Sequence, residues 1–202
     1  MIEKLSQPEY LSREELYNCL YAMFEECKSV KVFRTLQDYS GNYDEIYNEY
    51  VQFNLKEVEQ LLADFYLDNV LLEDKKDIEH LYYVADPVST YLKFEALRVF
   101  VYNEIGHKTY ATKLKGETDF VVFDNAAVLL LDFTEQGALK GGFLSTKPAD
   151  VNLAMSEYEK YKVGAVDYLK TVPCEATTKN GLNRKIKDLK YNLLHTLLGN
   201  AD

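Results

Sequence analysis

The sequence contains few of the residues that mark specialised classes of protein. Tryptophan is missing, and only 4 prolines, 9 glycines and 3 cysteines occur among 202 residues. This scarcity of proline and glycine excludes collagen-like and low-complexity chains. The cysteines, Cys19, Cys27 and Cys174, are odd in number and share no metal-type spacing. We therefore expect buried, reduced thiols rather than a disulfide framework.

Long apolar segments are missing as well. No run reaches the ~18 apolar residues that a membrane-spanning helix needs. Residues 1–8 are polar and lack the apolar stretch of a signal peptide, so we expect a cytoplasmic protein. Hydrophobic residues nevertheless make up 47% of the chain and charged residues 28%. Such a composition supports a real core beneath a well-solvated surface and excludes wholesale disorder.

Negative charge is in excess and is unevenly spread. The formal net charge is −10, and residues 1–86 hold 19 acids and 8 bases, against 14 acids and 15 bases in the rest. Because general nucleic-acid binding depends on neutralising phosphates, this balance predicts against direct nucleic-acid binding. The acidic residues are either a solvated surface or, over residues 43–86, a patch that imitates nucleic acid.

Helical and strand patterns alternate along the chain. Ser12 and Glu15 form a capping-box pattern, and Asp86 with Pro87 is typical of a helix start. Residues 38–42 are predicted to form a turn. Helices are predicted over residues 12–28, 43–68 (as one helix or two), 86–105, 148–169 and 183–198, and strands over residues 30–36, 78–84, 120–123, 127–133 and 139–144.

This order predicts an α/β (α+β) fold with a central mixed or antiparallel sheet. The strand over 78–84 and the helix after it form a βα unit, and residues 120–144 form a three-strand meander whose middle strand is buried on both faces. Flanking helices cover the sheet. We expect a single domain over residues 1–170, with a helical N-terminal part, and an extension over 171–202 made of a polar connector and an amphipathic helix.

The C-terminal helix has an apolar stripe and a basic start. It binds a protein partner or a second copy, or it packs on the acidic first half of its own chain, and both interpretations stay open. We expect a protein partner or self-association through this helix. The stripe consists of Ile186, Leu189, Leu193, Leu194 and Leu197.

Motifs that carry chemistry are missing too. The chain has no glycine-rich phosphate loop and no Gly-x-Ser-x-Gly elbow. His80, His107 and His195 are scattered, and none pairs with another histidine, cysteine or acid at ligand spacing. We therefore predict no catalytic residue, no metal site and no cofactor, which favours a protein that is not an enzyme.

The segment around residues 78–169 resembles one half of a phospholipase D-like fold. In that superfamily a strand carries His-x-Lys, four residues and Asp, with the histidine as nucleophile and the lysine binding phosphate. Here Glu117 and Asp119 occupy the histidine and lysine positions, and only Asp124 matches. Two carboxylates at these positions would repel a phosphate, so the resemblance implies a fold whose chemistry has been lost.

Residues 30–170 also resemble an uncharacterised bacterial family, known mainly from actinobacteria as stand-alone domains or near helix-turn-helix regulators. The resemblance supports a fold and assigns no activity. It departs from the family at Asn125, where a second acid is expected, and in the C-terminal extension. The matching segments are Phe33-Arg34, Asp38-Tyr39, Pro87-Val88-Ser89-Thr90-Tyr91-Leu92-Lys93-Phe94-Glu95, Asp119-Phe120-Val121-Val122-Phe123-Asp124, Glu135-Gln136-Gly137 and Lys147-Pro148-Ala149-Asp150.

Six residues make up the candidate ligand- or partner-binding set. Tyr91, Glu95 and Arg98 share one helix face, either as a polar cluster that binds a ligand or as a packed tyrosine beside an ordinary ion pair. Asp124 is either a site carboxylate or a turn residue that bonds backbone groups. Arg34 and Lys93, from the matching segments, complete the set.

Three functions are compatible with these observations. The first is a non-enzymatic regulatory or accessory protein that acts by macromolecular interaction. The second is a metal-dependent phosphodiesterase or nuclease of altered mechanism, in which Asp119, Asp124 and another acid hold a divalent cation. The third is an acidic mimic of nucleic acid that blocks a nucleic-acid-binding partner.

Overall fold

The computed structural model describes residues 5–6, 8–39, 41, 45–70 and 76–199, without the side chains of 194–199. These residues form one mixed eight-stranded sheet and seven helices. The predicted fold class, an α+β fold built on a mixed sheet, is confirmed.

The sheet joins a parallel half to an antiparallel half. Its strand order is β1-β7-β6-β5-β2-β3-β4-β8. The pairs β2–β3 and β3–β4 are parallel, and the remaining pairs are antiparallel. The strands are β1 (Glu9–Ser12), β2 (Ser29–Arg34), β3 (Asp77–Tyr83), β4 (Lys108–Thr112), β5 (Asp119–Phe123), β6 (Ala127–Phe133), β7 (Leu139–Ser145) and β8 (Val166–Asp167).

Helices cover both faces of the sheet. The helix α5 packs on one face, α1 and α4 pack on the other, and α3 and α7 form an outer layer against α4. The helices are α1 (Arg13–Glu26), α2 (Glu45–Val51), α3 (Leu55–Val70), α4 (Thr90–Glu104), α5 (Pro148–Lys162), α6 (Tyr168–Thr171) and α7 (Ala176–Gly199).

The alternation of side chains along β2 and β3 separates the two cores. Phe33 and Leu81 are fully buried on the α5 side, where Phe33 stacks on Tyr161 with ring centroids 4.6 Å apart. Their sequence neighbours Val32 and His80 point to the opposite face, toward α1 and α4. Each large apolar side chain buried in this way contributes about 1.5–3 kcal/mol to folding.

Several predicted elements are confirmed. The capping box at the start of α1 is present, with the Ser12 Oγ accepting from the Glu15 N–H and the Glu15 carboxylate accepting from the Ser12 N–H at 2.8 Å. The three-strand meander is β5, β6 and β7, and β6 is buried on both faces over residues 127–130. The helical region predicted over 43–68 is two helices, separated near Phe53, whose φ is 61°. Residues 40 and 42 of the predicted turn and 43–44 of this region lie outside the described residues.

Other boundaries were wrong. The helix α4 begins at Thr90 rather than after Asp86, because Ser89 caps it by accepting from the Leu92 N–H at 3.1 Å. The helix α5 ends at Lys162 rather than near 169, and Gly164 follows it with a φ of 72°. The strands β1, β4 and β8 were not predicted. Each is short, and two of them lie at the sheet edges, so their pattern of side chains carries little signal.

The helix α7 tests the expectation of a docking helix. It begins at Ala176, inside the predicted connector, and packs on α3 of the same chain. Leu182 and Ile186 are buried there with Leu62 and Tyr66. The Lys185 ammonium also donates to the Gln60 side chain at 2.8 Å. Ile186 and part of Leu189, from the apolar stripe, are therefore covered within the chain, as the second interpretation expected, whereas Leu193 is only partly buried. A partner or second copy on the rest of the stripe stays a prediction, and the side chains of Leu194 and Leu197 lie outside the described residues.

In the described part of the chain, no helix is long and apolar enough to cross a membrane.

Candidate functional site

A cleft of about 550 Å³ lies between the sheet and the helices α1 and α4. Its floor is the apolar face of the central strands, including Val32, Val121 and Leu131. Aromatic side chains of α1, among them Tyr21 and Phe24, form one wall. A volume between about 300 and 1,000 Å³ with mostly apolar walls is typical of small-molecule sites.

A buried carboxylate organises the polar side of the cleft. Glu95 on α4 is fully buried, and its two oxygens face two different guanidinium groups. The Arg34 Nη1 lies 3.5 Å from one oxygen and the Arg98 Nη1 lies 3.3 Å from the other. The Tyr82 hydroxyl donates to the first oxygen at 3.2 Å. A buried charge needs such partners, because burial without them costs several kcal/mol.

Arg34 is the cation on the floor of the cleft. Its guanidinium lies over the rings of Tyr39 and Tyr82, with centroid distances of 5.6 and 5.5 Å. Burial alone would lower the pKa of Arg34, but the neighbouring Tyr82 and Glu95 raise this pKa well above its ordinary value. The side chain keeps about a quarter of its surface, 26%, exposed. A permanent positive charge is therefore held in a fixed plane and stays accessible from the cleft.

A hydrogen-bonded loop fixes the end of β2 beside Arg34. The Tyr39 hydroxyl donates to Asp119, and the other oxygen of Asp119 accepts from the Thr35 N–H at 2.8 Å. The Tyr39 hydroxyl in turn accepts from the Leu36 N–H at 3.2 Å. Burial raises the pKa of Asp119, and the hydrogen bond from Tyr39 opposes that rise. The loop after β2 is thus anchored by one side chain of β5, that of Asp119.

Two histidines form a second polar feature of the cleft wall. The Nε2 of His80 lies 3.1 Å from the Nδ1 of His107. The His80 ring also stacks on Tyr102 of α4, with centroids 4.7 Å apart and planes 8° apart. Burial lowers the pKa of His80 far below its usual range, helped by the positive charge of Arg34, and burial lowers that of His107 to about 4. Both imidazoles are therefore neutral at pH 7.

Two of the histidines, which share no ligand spacing in the sequence, meet in the fold. His80 and His107 are 27 residues apart in sequence, yet the parallel pairing of β3 and β4 places them together. In this ladder Glu79 of β3 pairs with Lys108, the first residue of β4. His107 comes just before Lys108 and His80 just after Glu79, so the two histidines are close. Sequence spacing cannot detect such a contact, because the helix α4 separates the two strands along the chain. The sequence could have predicted one part of this arrangement. Ile78, His80 and Tyr82 alternate along the predicted strand, so His80 shares a face of the sheet with Tyr82.

The six candidate residues do not all lie together. Arg34, Tyr91 and Arg98 line the cleft, and Glu95 lies behind two of them. Tyr91 is buried in an aromatic cluster and lies 5.6 Å from the Tyr39 ring. Lys93 is exposed on α4 and is not part of the cleft wall.

Asp124 lies at the other end of β5, in the turn before β6. Its carboxylate accepts from the backbone N–H groups of Lys28 and Ser29, at 3.0 and 2.7 Å. Although slight burial acts to raise it, the pKa of Asp124 is lowered by these hydrogen bonds. Asp119 and Asp124 stand at opposite ends of this strand, about 16 Å apart at the usual rise per residue. They cannot hold one cation together, and no group of three potential metal ligands exists among the described residues.

Comparisons with known proteins give a family and a distant fold likeness. A family model described as "Domain of unknown function (DUF6879)" matches residues 21–170. This range includes the residues 30–170 for which the resemblance to an uncharacterised family was predicted. No curated protein matches the chain.

Two solved structures are similar in fold. The archaeal chromatin protein TrmBL2, whose structure is described as showing a novel mode of DNA binding, is 12% identical with a TM-score of 0.46. This match covers 81% of the present chain and 55% of TrmBL2, so the chain spans about half the length of that protein. NucT from Helicobacter pylori is 10% identical with a TM-score of 0.48, and the match covers 80% of this chain and 98% of NucT.

The prediction against direct nucleic-acid binding is overturned by these findings. It depended on the net charge of the whole chain, whereas one of the two structural neighbours, TrmBL2, is described as a chromatin protein with a novel mode of DNA binding. Contact with phosphates depends on the local arrangement of charge, which a sum over 202 residues does not describe. At this level of similarity, the two structures show a shared fold and nothing about what this chain binds.

Proposed function

This chain belongs to the DUF6879 family of domains of unknown function, and we propose from the cleft that it is a non-enzymatic, ligand-binding regulatory protein that takes up a small organic anion. The observation that carries the proposal is the Arg34 guanidinium, fixed on the floor of a largely apolar cleft of about 550 Å³.

Arg34 is suited to bind an anion. Among the described residues, its hydrogen bonds to oxygen use Nη1 alone, at 3.5 Å from Glu95. A guanidinium has five N–H donors in a planar fork, so donors remain for a carboxylate or phosphate group of a ligand. The rings of Tyr39 and Tyr82 hold the plane of this fork before a ligand arrives, which reduces the entropy lost on binding.

The remaining walls favour an apolar, flat body on the same ligand. The side chains of Val32, Val121 and Leu131 provide an aliphatic floor, and Tyr21 and Phe24 provide aromatic surface opposite the polar side. Burial of apolar ligand surface there would supply most of the binding free energy, at about 25 cal/mol per Å². Arg34 would then fix the orientation of the ligand.

A ligand in this cleft would connect separate parts of the fold. It would contact α1, the floor formed by β2 and β5, and α4 at once, and would lie beside the anchored loop over residues 35–39. A ligand that binds only this arrangement stabilises it by mass action. Such a change in the population of one conformation is how a small molecule regulates a protein without any reaction.

The test is a thermal-shift panel of aromatic carboxylates, aromatic phosphates and the matching uncharged amides or alcohols. We expect the anions to raise the melting temperature and the uncharged analogues to have little effect. In the Arg34→Met variant, which keeps an apolar side chain of similar length, the affinity for anions should fall by about tenfold or more. The matched control is Lys93→Met, which removes an exposed charge outside the cleft and should bind as the native chain does.

Two results would overturn the proposal. One is that no anion stabilises the native chain, or that Arg34→Met binds as tightly as Lys93→Met. The other is hydrolysis of bis(4-nitrophenyl) phosphate by the native chain in the presence of Mg²⁺ or Mn²⁺, which would favour a metal-dependent phosphodiesterase.

A further inference from the structure

His80 contributes an unusual polar atom to the wall of the same cleft. Only 6% of this residue is exposed, and its Nδ1 is buried with no hydrogen-bond partner among the described residues. Its other ring nitrogen already faces His107 at 3.1 Å. Buried polar atoms are almost always paired, so an orphaned nitrogen in the wall of a cleft points to a partner that arrives with a ligand.

The surroundings hold His80 in place for such a contact. Tyr102 stacks on one side of the ring, and Tyr82 lies along the same strand at a centroid distance of 6.2 Å. Burial and the positive charge of Arg34 keep the imidazole neutral. A neutral imidazole has one N–H donor and one bare acceptor, so Nδ1 can make one directional hydrogen bond.

His107 lets that hydrogen bond run in either direction. If the His80 Nε2–H donates to His107, then Nδ1 of His80 is an acceptor. If the His107 Nδ1–H donates to His80, then Nδ1 of His80 carries the proton and donates. Because both rings are neutral, the pair can change tautomer without leaving a buried charge.

His80 and Arg34 lie close together on one face of the sheet. Val32 pairs with His80 and Arg34 pairs with Tyr82 in the parallel ladder of β2 and β3. The Cα atoms of Arg34 and His80 are therefore about 8 Å apart, given strands about 4.8 Å apart and a rise of about 3.3 Å per residue. Both side chains line the cleft, so one small ligand lies within reach of both.

We propose that the ligand is a flat aromatic acid with a second hydrogen-bonding group at the end of the ring away from its anionic group, and that His80 is the residue that selects for this second group. This inference rests on the proposed function, because it places the anionic group on Arg34. The ligand class is that of hydroxylated or ring-nitrogen-containing aromatic carboxylates.

The experiment compares 6-hydroxy-2-naphthoate with 2-naphthoate by isothermal titration calorimetry. The native chain should bind the hydroxylated acid about tenfold more tightly, since one added hydrogen bond to a buried group has about that effect. His80→Phe keeps an aromatic ring against Tyr102 but removes both nitrogens, and should bind the two acids equally. Arg34→Met should weaken both acids and keep the ratio between them.

The outcomes separate the inference from the proposed function. If both naphthoates bind through Arg34 but the native chain does not distinguish them, or if His80→Phe keeps the native ratio, the role of His80 is wrong and the anion site stands. If neither naphthoate binds, and the wider panel of anions also has no effect, both proposals fail.

A spectroscopic measurement on the native chain covers the case in which His80→Phe does not fold. We expect the ¹⁵N resonance of the His80 Nδ1 to shift when 6-hydroxy-2-naphthoate is added and to move much less with 2-naphthoate. Equal shifts with both acids would overturn the inference.

Discussion

Glu95 is the residue on which the arrangement of the cleft depends. It is fully buried, and it holds Arg34 and Arg98 on opposite oxygens. We expect Glu95→Gln to lower the free energy of unfolding by about 3 kcal/mol, because two guanidinium groups would then face a neutral amide in a desolvated space. Urea denaturation of the native and variant chains measures this difference.

The matched control for this substitution lies on the same helix. Glu104 forms an ion pair with Lys190 at 2.7 Å, but both side chains are partly exposed. Glu104→Gln should therefore cost less than about 1 kcal/mol. Equal losses for the two substitutions would show that Glu95 is an ordinary helix ion-pair residue and does not organise the cleft.

The two histidines predict a dependence of stability on pH. The pKa of His107 is about 4 in the folded chain, and that of His80 is also lowered. An unfolded histidine has a pKa of about 6.5, so between about pH 6.5 and pH 4 the unfolded chain binds more protons than the folded chain. Stability therefore falls as the pH is lowered through this range.

The variant His107→Asn isolates this effect. It removes one of the two lowered pKa values, so its loss of stability between about pH 7.5 and pH 5 should be smaller than the native loss by about 1 kcal/mol. Asp119 acts in the opposite direction, since burial raises its pKa, but it does so equally in both chains. Identical pH profiles for the two chains would contradict the environment described for His107.

At the scale of residues, local spacing predicted one part of the site. The spacings of four and three on one helix placed Tyr91, Glu95 and Arg98 on a common face, and all three lie at or behind the cleft wall. The partners from other strands could not be predicted in this way. Arg34 meets Glu95 across 61 residues, and His80 meets His107 only through the pairing of β3 with β4.

At the scale of elements, boundaries encoded next to the element were predicted and those set by distant contacts were not. The start of α1 follows from the capping box of Ser12 and Glu15, which is complete within four residues. The start of α4 depends instead on Ser89, whose hydroxyl also donates to the Gln37 carbonyl at 2.5 Å. The prediction of a cap at Asp86 could not include this contact, because Ser89 and Gln37 are 52 residues apart in the sequence.

The helix α7 provides a prediction at the same scale. Because Leu182 and Ile186 are buried against α3, Leu182→Ala and Ile186→Ala should each lower the free energy of unfolding by about 2–4 kcal/mol. Lys187→Ala, on the exposed side of α7, should change it by less than about 0.5 kcal/mol. Urea denaturation again gives the three values.

A truncation provides a second test of whether α7 is part of the core. Removing the chain after Val172 deletes Leu182 and Ile186 from the core, so the shortened protein should unfold at markedly lower urea or fail to fold. If the truncated chain and the two alanine variants were as stable as the native chain, α7 would not be part of the core.

At the scale of the whole molecule, composition and element order were enough to predict a mixed sheet with helices on its faces. They were not enough to predict what the chain binds, because a net charge of −10 does not describe the charge of any one surface or cleft. The division into a domain over residues 1–170 and an extension over 171–202 stays a prediction, and so does an acidic mimic over residues 43–86, of which 43–44 and 71–75 lie outside the described residues.

The measurement that tests the central claim most directly is a crystal structure of the native chain grown with 2-naphthoate. The account predicts the carboxylate within about 3.2 Å of the Arg34 guanidinium and the rings between α1 and the face of β2 and β5. A structure with 2-naphthoate bound elsewhere, or with no naphthoate in the cleft at a saturating concentration of the acid, would contradict the claim that this cleft binds organic anions.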